Sequence, residues 1–216
     1  MTNEKHVNFF ALQKASEKCG CPICNLVNER IARYIDGMLF EHISDRTFRR
    51  QYREAGGFCN RHSETLLSYR DGLAVAILGQ GELTEKIEDF SKKKMRRYKE
   101  TCPACMEQDK IESQFLLFIA EASKLSPEDA EELKNLIIKG NGLCIPHYAK
   151  LVKLLGRRIP RWLSDFQETK YKMLLKRTGD FIEFSAWGRQ KDFENLSAED
   201  KVVWKELAQT LRGEIR

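Results

Sequence analysis

Along this chain the apolar positions recur at steps of three, four and seven, and no stretch alternates as a half-buried strand would. Residues 5–18 read as a short lead-in helix with Phe9, Phe10, Leu12 and Ala15 on its apolar side. From Cys24 to about Phe40 a longer helix carries Leu26, Ile31, Tyr34, Ile35, Met38 and Leu39. Ser44 or Asp45 can cap a short helix bearing Phe48 and Tyr52, which Gly56-Gly57 stops. The next helix opens at Cys59 and carries Leu66, Leu67, Leu73, Val75 and Leu78, with Gly72 weakening its middle and Gly79-Gln80-Gly81 ending it. Residues 82–100 follow as a charged helix with a sparse stripe of Leu83, Ile87, Phe90 and Tyr98.

The second half repeats this plan. Ile111, Phe115, Leu116, Phe118 and Ile119 mark a helix after Cys105. Ser126-Pro127-Glu128-Asp129 combines a cap, a proline at the first helical position and acids in the first turn. That helix ends at Gly140-Asn141-Gly142, and another runs from Cys144 through Leu151 and Leu155. Ile159-Pro160 starts a long helix to about residue 185, which Gly179 would break or kink. Trp187-Gly188 reads as a loop, and Ser197 caps a last helix that runs through Val203, Leu207 and Leu211 to Gly213. The predicted fold class is all-α. The expected domains are a helical unit over 1–81, a charged connector over 82–100, a second helical unit over 101–158 and a helical extension over 159–216.

The cysteines give the repeat its chemistry. Cys21-Pro22-Ile23-Cys24 is answered by Gly57-Phe58-Cys59-Asn60-Arg61-His62, and Cys102-Pro103-Ala104-Cys105 by Gly142-Leu143-Cys144-Ile145-Pro146-His147. Three thiolates and an imidazole make a structural zinc set. In C-x-x-H the two ligands share one face if the segment opens a helix. Glycine suits the entry turn through positive φ, and helix N-termini favour thiolates. A redox dithiol, disulfides or iron–sulfur ligation are the competing readings. The repetition, in the same order and with the same proline and glycine, favours two zinc ions per chain. The expected sets are Cys21, Cys24, Cys59 and His62 for one ion, and Cys102, Cys105, Cys144 and His147 for the other. Each ion would then tie a single repeat across spacers of 34 and 38 residues (25–58 and 106–143). Cys19 has no counterpart in the second repeat and reads as a spare thiol, or alternatively as a ligand in place of Cys21.

The eight residues, in this order, resemble an uncharacterised prokaryotic family known as domain of unknown function 6062. The likeness spans roughly residues 18–155, and less specifically Phe181 through Trp204. It implies the paired Cys/His clusters and brings no activity, substrate or partner.

Composition changes the picture little. The chain has 216 residues with 42% hydrophobic and 32% charged, enough for a real core. Its start has no apolar signal-peptide core and no run is long enough to span a membrane, so a cytoplasmic location is expected. In that compartment cysteines serve more often as ligands than as disulfides. No P-loop, G-x-S-x-G or H-E-x-x-H is present. A non-enzymatic interaction or scaffold protein with a protein partner is therefore the leading reading. Nucleic-acid binding is an alternative, motivated by the basic run 92–99 and by Arg157, Arg158 and Arg161, although acidic residues (32) nearly match basic ones (37). A thiol-based redox or metal-stress sensor is the third.

Overall fold

A computed structural model describes residues 2–93 and 102–213 of the chain. Every regular element among these residues is helical, as the periodicity predicts: α1 (Thr2–Ser16), α2 (Pro22–Gly37), α3 (Arg46–Glu54), α4 (Asn60–Ser68), α5 (Gly72–Ser91), α6 (Pro103–Ala120), α7 (Pro127–Lys139), α8 (Ile145–Leu155), α9 (Arg161–Phe184), α10 (Gln190–Asn195) and α11 (Val203–Arg212). None of the helices among the described residues is long and apolar enough to cross a membrane.

Several boundaries follow the local chemistry. The Asp45 carboxylate accepts the Thr47 N–H at 2.7 Å and starts α3. Ser126 and Ser197 accept from the N–H groups of Asp129 and Asp200, three residues on. Two glycine readings fail. The break expected at Gly79-Gln80-Gly81 lies instead at Tyr69-Arg70-Asp71. There Arg70 takes φ 57° and the Asp71 carboxylate caps α5 by accepting from Ala74 N–H at 2.9 Å. The glycines that follow stay helical. At Gly81 a Cβ would stand 2.9 Å from Arg53 Cδ, so this glycine permits close approach by α3 and does not end a helix. Gly179 likewise lies inside an unbroken α9. The short α10 had no sequence signal beyond Phe193, whose ring meets Phe181 at 5.9 Å. Of the basic run 92–99, residues 94–99 lie outside the described residues.

The chain packs as two compact units that do not follow the sequence repeats: Met1–Leu26 with Ser113–Ile215, and Val27–Glu112. In the first, α1 packs on α7, and α11 on α8 and α9, around Leu12, Phe115, Leu133, Leu151, Leu163 and Val203. Arg177 on α9 pairs with Asp200 and Glu206 at 2.6 and 2.7 Å. In the second, α5 packs on α3 and α4, around Ile31, Ile35, Met38, Tyr52, Leu66 and Leu78. The unit boundaries fall inside α2 and α6, so each of these helices opens in one unit and ends in the other.

Candidate metal centres

All four cysteine half-motifs open a helix in the same way. Cys21, Cys59, Cys102 and Cys144 immediately precede α2, α4, α6 and α8. The carbonyl of each accepts the first intrahelical bond, from Asn25, Ser63, Met106 and Tyr148, at 2.8–3.1 Å. The remaining ligand candidates, Cys24, His62, Cys105 and His147, stand three residues on, one turn into the helix. The prolines of the C-P-x-C pairs sit at the first helical position, where the missing N–H costs nothing. Each sulfur therefore lies where a helix presents its unpaired N–H groups and positive end. Gly57 and Gly142 turn the chain into α4 and α8 with φ +77° and +76°, as the G-Φ-C-x-x-H pattern predicts.

The helix starts do not meet in the expected pairs. One cluster holds Cys21, Cys24, Cys144 and His147, and the other Cys59, His62, Cys102 and Cys105. Each therefore combines the C-P-x-C of one repeat with the C-x-x-H of the other, and this overturns the single-repeat sets. The reason lies in the packing: Cys21, Cys24, Cys144 and His147 fall in one compact unit and Cys59, His62, Cys102 and Cys105 in the other, so the two halves of each repeat are divided between units. The second cluster is thus nested, in sequence, within the loop that the first one closes.

In the first cluster, His147 Nδ1 lies 3.4, 3.5 and 3.0 Å from the sulfurs of Cys21, Cys24 and Cys144, and Cys24 and Cys144 are 3.8 Å apart. In the second, His62 Nδ1 lies 3.3, 3.4 and 3.5 Å from Cys59, Cys102 and Cys105, and Cys59 and Cys105 are 3.7 Å apart. All ligand atoms of a cluster lie within 4.8 Å of one another, near enough to hold one metal ion. None of the seven cysteines is in a disulfide, and these sulfur pairs stand well beyond the ~2.05 Å of one. Cys19 is exposed and belongs to neither cluster.

The two centres differ in cover. All four groups of the first are buried, whereas Cys59 and Cys105 of the second are half-buried. Gly213, just past α11, backs the first centre: a Cβ there would lie 3.6 Å from both Cys24 and Cys144 sulfurs. In the second, burial pushes the Cys105 thiol up to about 12, reinforced by its hydrogen bond with Cys59. Burial would also raise Cys59, but the His62 backbone N–H, the Cys105 and Cys102 thiols and Arg61 hold it below its ordinary value. Burial and then Arg61 lower the His62 pKa, which keeps its imidazole neutral as a ligand must be.

The groups that fix the glycine turns escaped the sequence reading. Gln167 on α9, 1% exposed, grips Leu143 at both ends: its Oε1 accepts the Leu143 N–H at 2.9 Å and its Nε2 donates to the carbonyl at 2.8 Å. Tyr171 donates to the same carbonyl at 3.1 Å. At the other turn the Phe58 N–H donates to Tyr52 Oη at 3.2 Å, and Glu82 crowds Gly57. The available signal was a polar Gln167 in register with Leu163 and Leu174 on the apolar stripe of α9. Gly142→Ala would place a Cβ 3.1 Å from Gln167 Nε2 at φ +76°. It should destabilise the protein by about 2 kcal/mol. Gly179→Ala, in open space inside α9, should instead stabilise it by about 0.5–1 kcal/mol. Thermal melting of both variants reads these opposite signs, and a neutral Gly142→Ala would refute the role given to the turn.

An all-helical chain with two Cys/His clusters, each assembled from two helix N-termini, is the class that this fold and these sites define. The chain belongs to the Family of unknown function (DUF6062), which it matches over residues 5–115, a span that holds six of the eight clustered residues and ends before Cys144 and His147. It is also 30% identical, over 203 residues, to the uncharacterized 23.9 kDa protein in the xynA 3′ region of Caldicellulosiruptor sp. (strain Rt8B.4), covering 89% of this chain and 95% of that protein. No solved structure matches it.

Proposed function

We propose that the protein is a zinc-bound, non-enzymatic interaction or scaffold protein, with one structural zinc ion in each compact unit. The observation that carries this reading is the spacing of the ligand atoms. A tetrahedral zinc with Zn–S of about 2.3 Å and Zn–N of about 2.0–2.1 Å places two sulfurs about 3.8 Å apart, and a sulfur and a nitrogen about 3.6 Å apart. The clusters have S···S separations of 3.7 and 3.8 Å and S···N separations of 3.0–3.5 Å. Three thiolates and one imidazole close the coordination shell and leave no position for substrate or activated water, which is the character of a structural site. The soft sulfur-rich donor set also selects zinc over magnesium or calcium. Metal analysis of protein purified under reducing conditions should return two zinc ions per chain. One ion or none, with all thiols titratable, would refute the reading.

A second reading rests on one asymmetry. Cys59 and Cys105 of the second centre are half-buried, while the first centre is covered. A thiol-reactive oxidant would then empty the second centre before the first. A single release step involving both ions at once would count against such a sensor.

A further inference from the structure

Helix α5 has its two faces the wrong way round for an isolated chain. The side that packs on α3 and α4 holds Ala74, Leu78, Glu82, Glu85 and Asp89, with three acids in its later turns. The side turned to solvent holds Leu73, Ala76, Gln80, Leu83, Ile87 and Phe90. Of these, Leu73, Leu83, Ile87 and Phe90 are 72%, 61%, 56% and 62% exposed. An apolar stripe on the wet face of a helix marks a surface that another element covers.

The spacing of the stripe identifies the kind of element. Its steps are three, four, three, four, three, the a/d register of a coiled-coil seam, sustained over roughly 25 Å of helix. The series reads the same in both directions, so the helix can face a reversed copy of itself layer for layer. In that pairing Leu73 meets the partner's Phe90, Ala76 the partner's Ile87, and Gln80 the partner's Leu83. The small Ala76 is thus matched with a large side chain. A parallel pairing would instead set Ala76 against the partner's Ala76 and leave a void.

Charge agrees with self-association. The positions flanking the seam are Gly72, Ile77, Gly79, Thr84, Lys86 and Ser91, so a single charge lies along it. In the reversed pairing Lys86 stands beside the partner's Gly79, and no like charges meet. The two helix dipoles also oppose each other. Four large side chains per copy, on the order of 100 Å² each, give roughly 1,000 Å² with the flanks, at the lower end of specific interfaces.

We infer that α5 is a dimerisation helix that joins two copies of this chain across an antiparallel two-fold seam. This inference does not depend on the identity of the metal. Sedimentation of the full-length, metal-loaded protein at micromolar concentration should give twice the mass of one chain. Leu83→Glu/Ile87→Glu, on exposed positions, should give the mass of one chain with helicity and metal content unchanged. A wild-type monomer, or a dimer that survives the double substitution, would overturn the inference. Orientation has its own test, which needs no disruptive change. In a Cys19→Ser background, chains carrying Gln80→Cys are mixed with chains carrying Leu83→Cys and mildly oxidised. The expected product is the mixed 80–83 disulfide; an 80–80 product forming as readily would overturn the antiparallel seam.

Discussion

Replacing Cys24 and Cys144 together should leave one metal ion per chain, whereas replacing Cys24 and Cys59 together should leave none against a competing chelator. The first pair lies 3.8 Å apart in one cluster, so that double variant destroys one centre and spares the other. The second pair is divided between clusters, so it cripples both. Apparent zinc affinities of about 10–16 kcal/mol, shared over four ligands, make each lost thiolate worth roughly 3 kcal/mol, more than a hundredfold in affinity. A chelator that competes at the level of a three-ligand site therefore separates the two variants. Single-repeat pairing predicts the reverse result, one ion kept in Cys24→Ser/Cys59→Ser and none in Cys24→Ser/Cys144→Ser. Hydrogen exchange adds location. Cys144→Ser should lose protection in helices of the unit formed by Met1–Leu26 and Ser113–Ile215, and Cys105→Ser in those of Val27–Glu112. Cys19→Ser, exposed and outside both clusters, should change neither metal content nor protection.

Stripping both ions with a strong chelator, under reducing conditions, should abolish the cooperative thermal transition. Each structural zinc contributes on the order of 10 kcal/mol to folding, while the net stability of a domain is about 5–15 kcal/mol. Without the ion, three sulfurs and an imidazole would be packed together in largely buried surroundings with nothing to compensate their ionised forms. The helix N-termini that meet there would lose the charge that draws them together. At roughly 2–4 °C per kcal/mol for a chain of this size, a loss of that magnitude moves the midpoint by more than 20 °C. The measurement is a melting curve by circular dichroism before chelation, after it, and after zinc is restored. A curve that shifts by only a few degrees would show that the apolar core suffices and that the metal is not structural.

Local chemistry was legible in the sequence. Helix type followed from apolar spacing, as in α6 with Ile111, Phe115 and Ile119, because the 3.6-residue period is set by the backbone and shows in any window of two or three turns. The caps at Asp45, Ser126 and Ser197 were legible because a cap satisfies N–H groups two or three residues away. The eight clustered residues were legible for the same reason: a ligand pair on one helix turn is fixed by three positions of sequence.

Tertiary structure alone decided which helix start meets which. Cys24 reaches Cys144 across 120 positions of sequence, and Cys59 reaches Cys105 across 46. No spacing rule acts over such distances; the outcome depends on which helices gather into each compact unit. The glycines show the same division. Gly57 and Gly142 were read correctly because a turn is a local event, and Gly81 was misread because its reason is Arg53, a side chain arriving from another helix. Gln167 likewise acquires its role only when α9 is laid beside Leu143. What the sequence determined by itself was the identity of the groups and the turns that present them. The fold decided their partners, because partnership is set by packing between helices far apart in the chain.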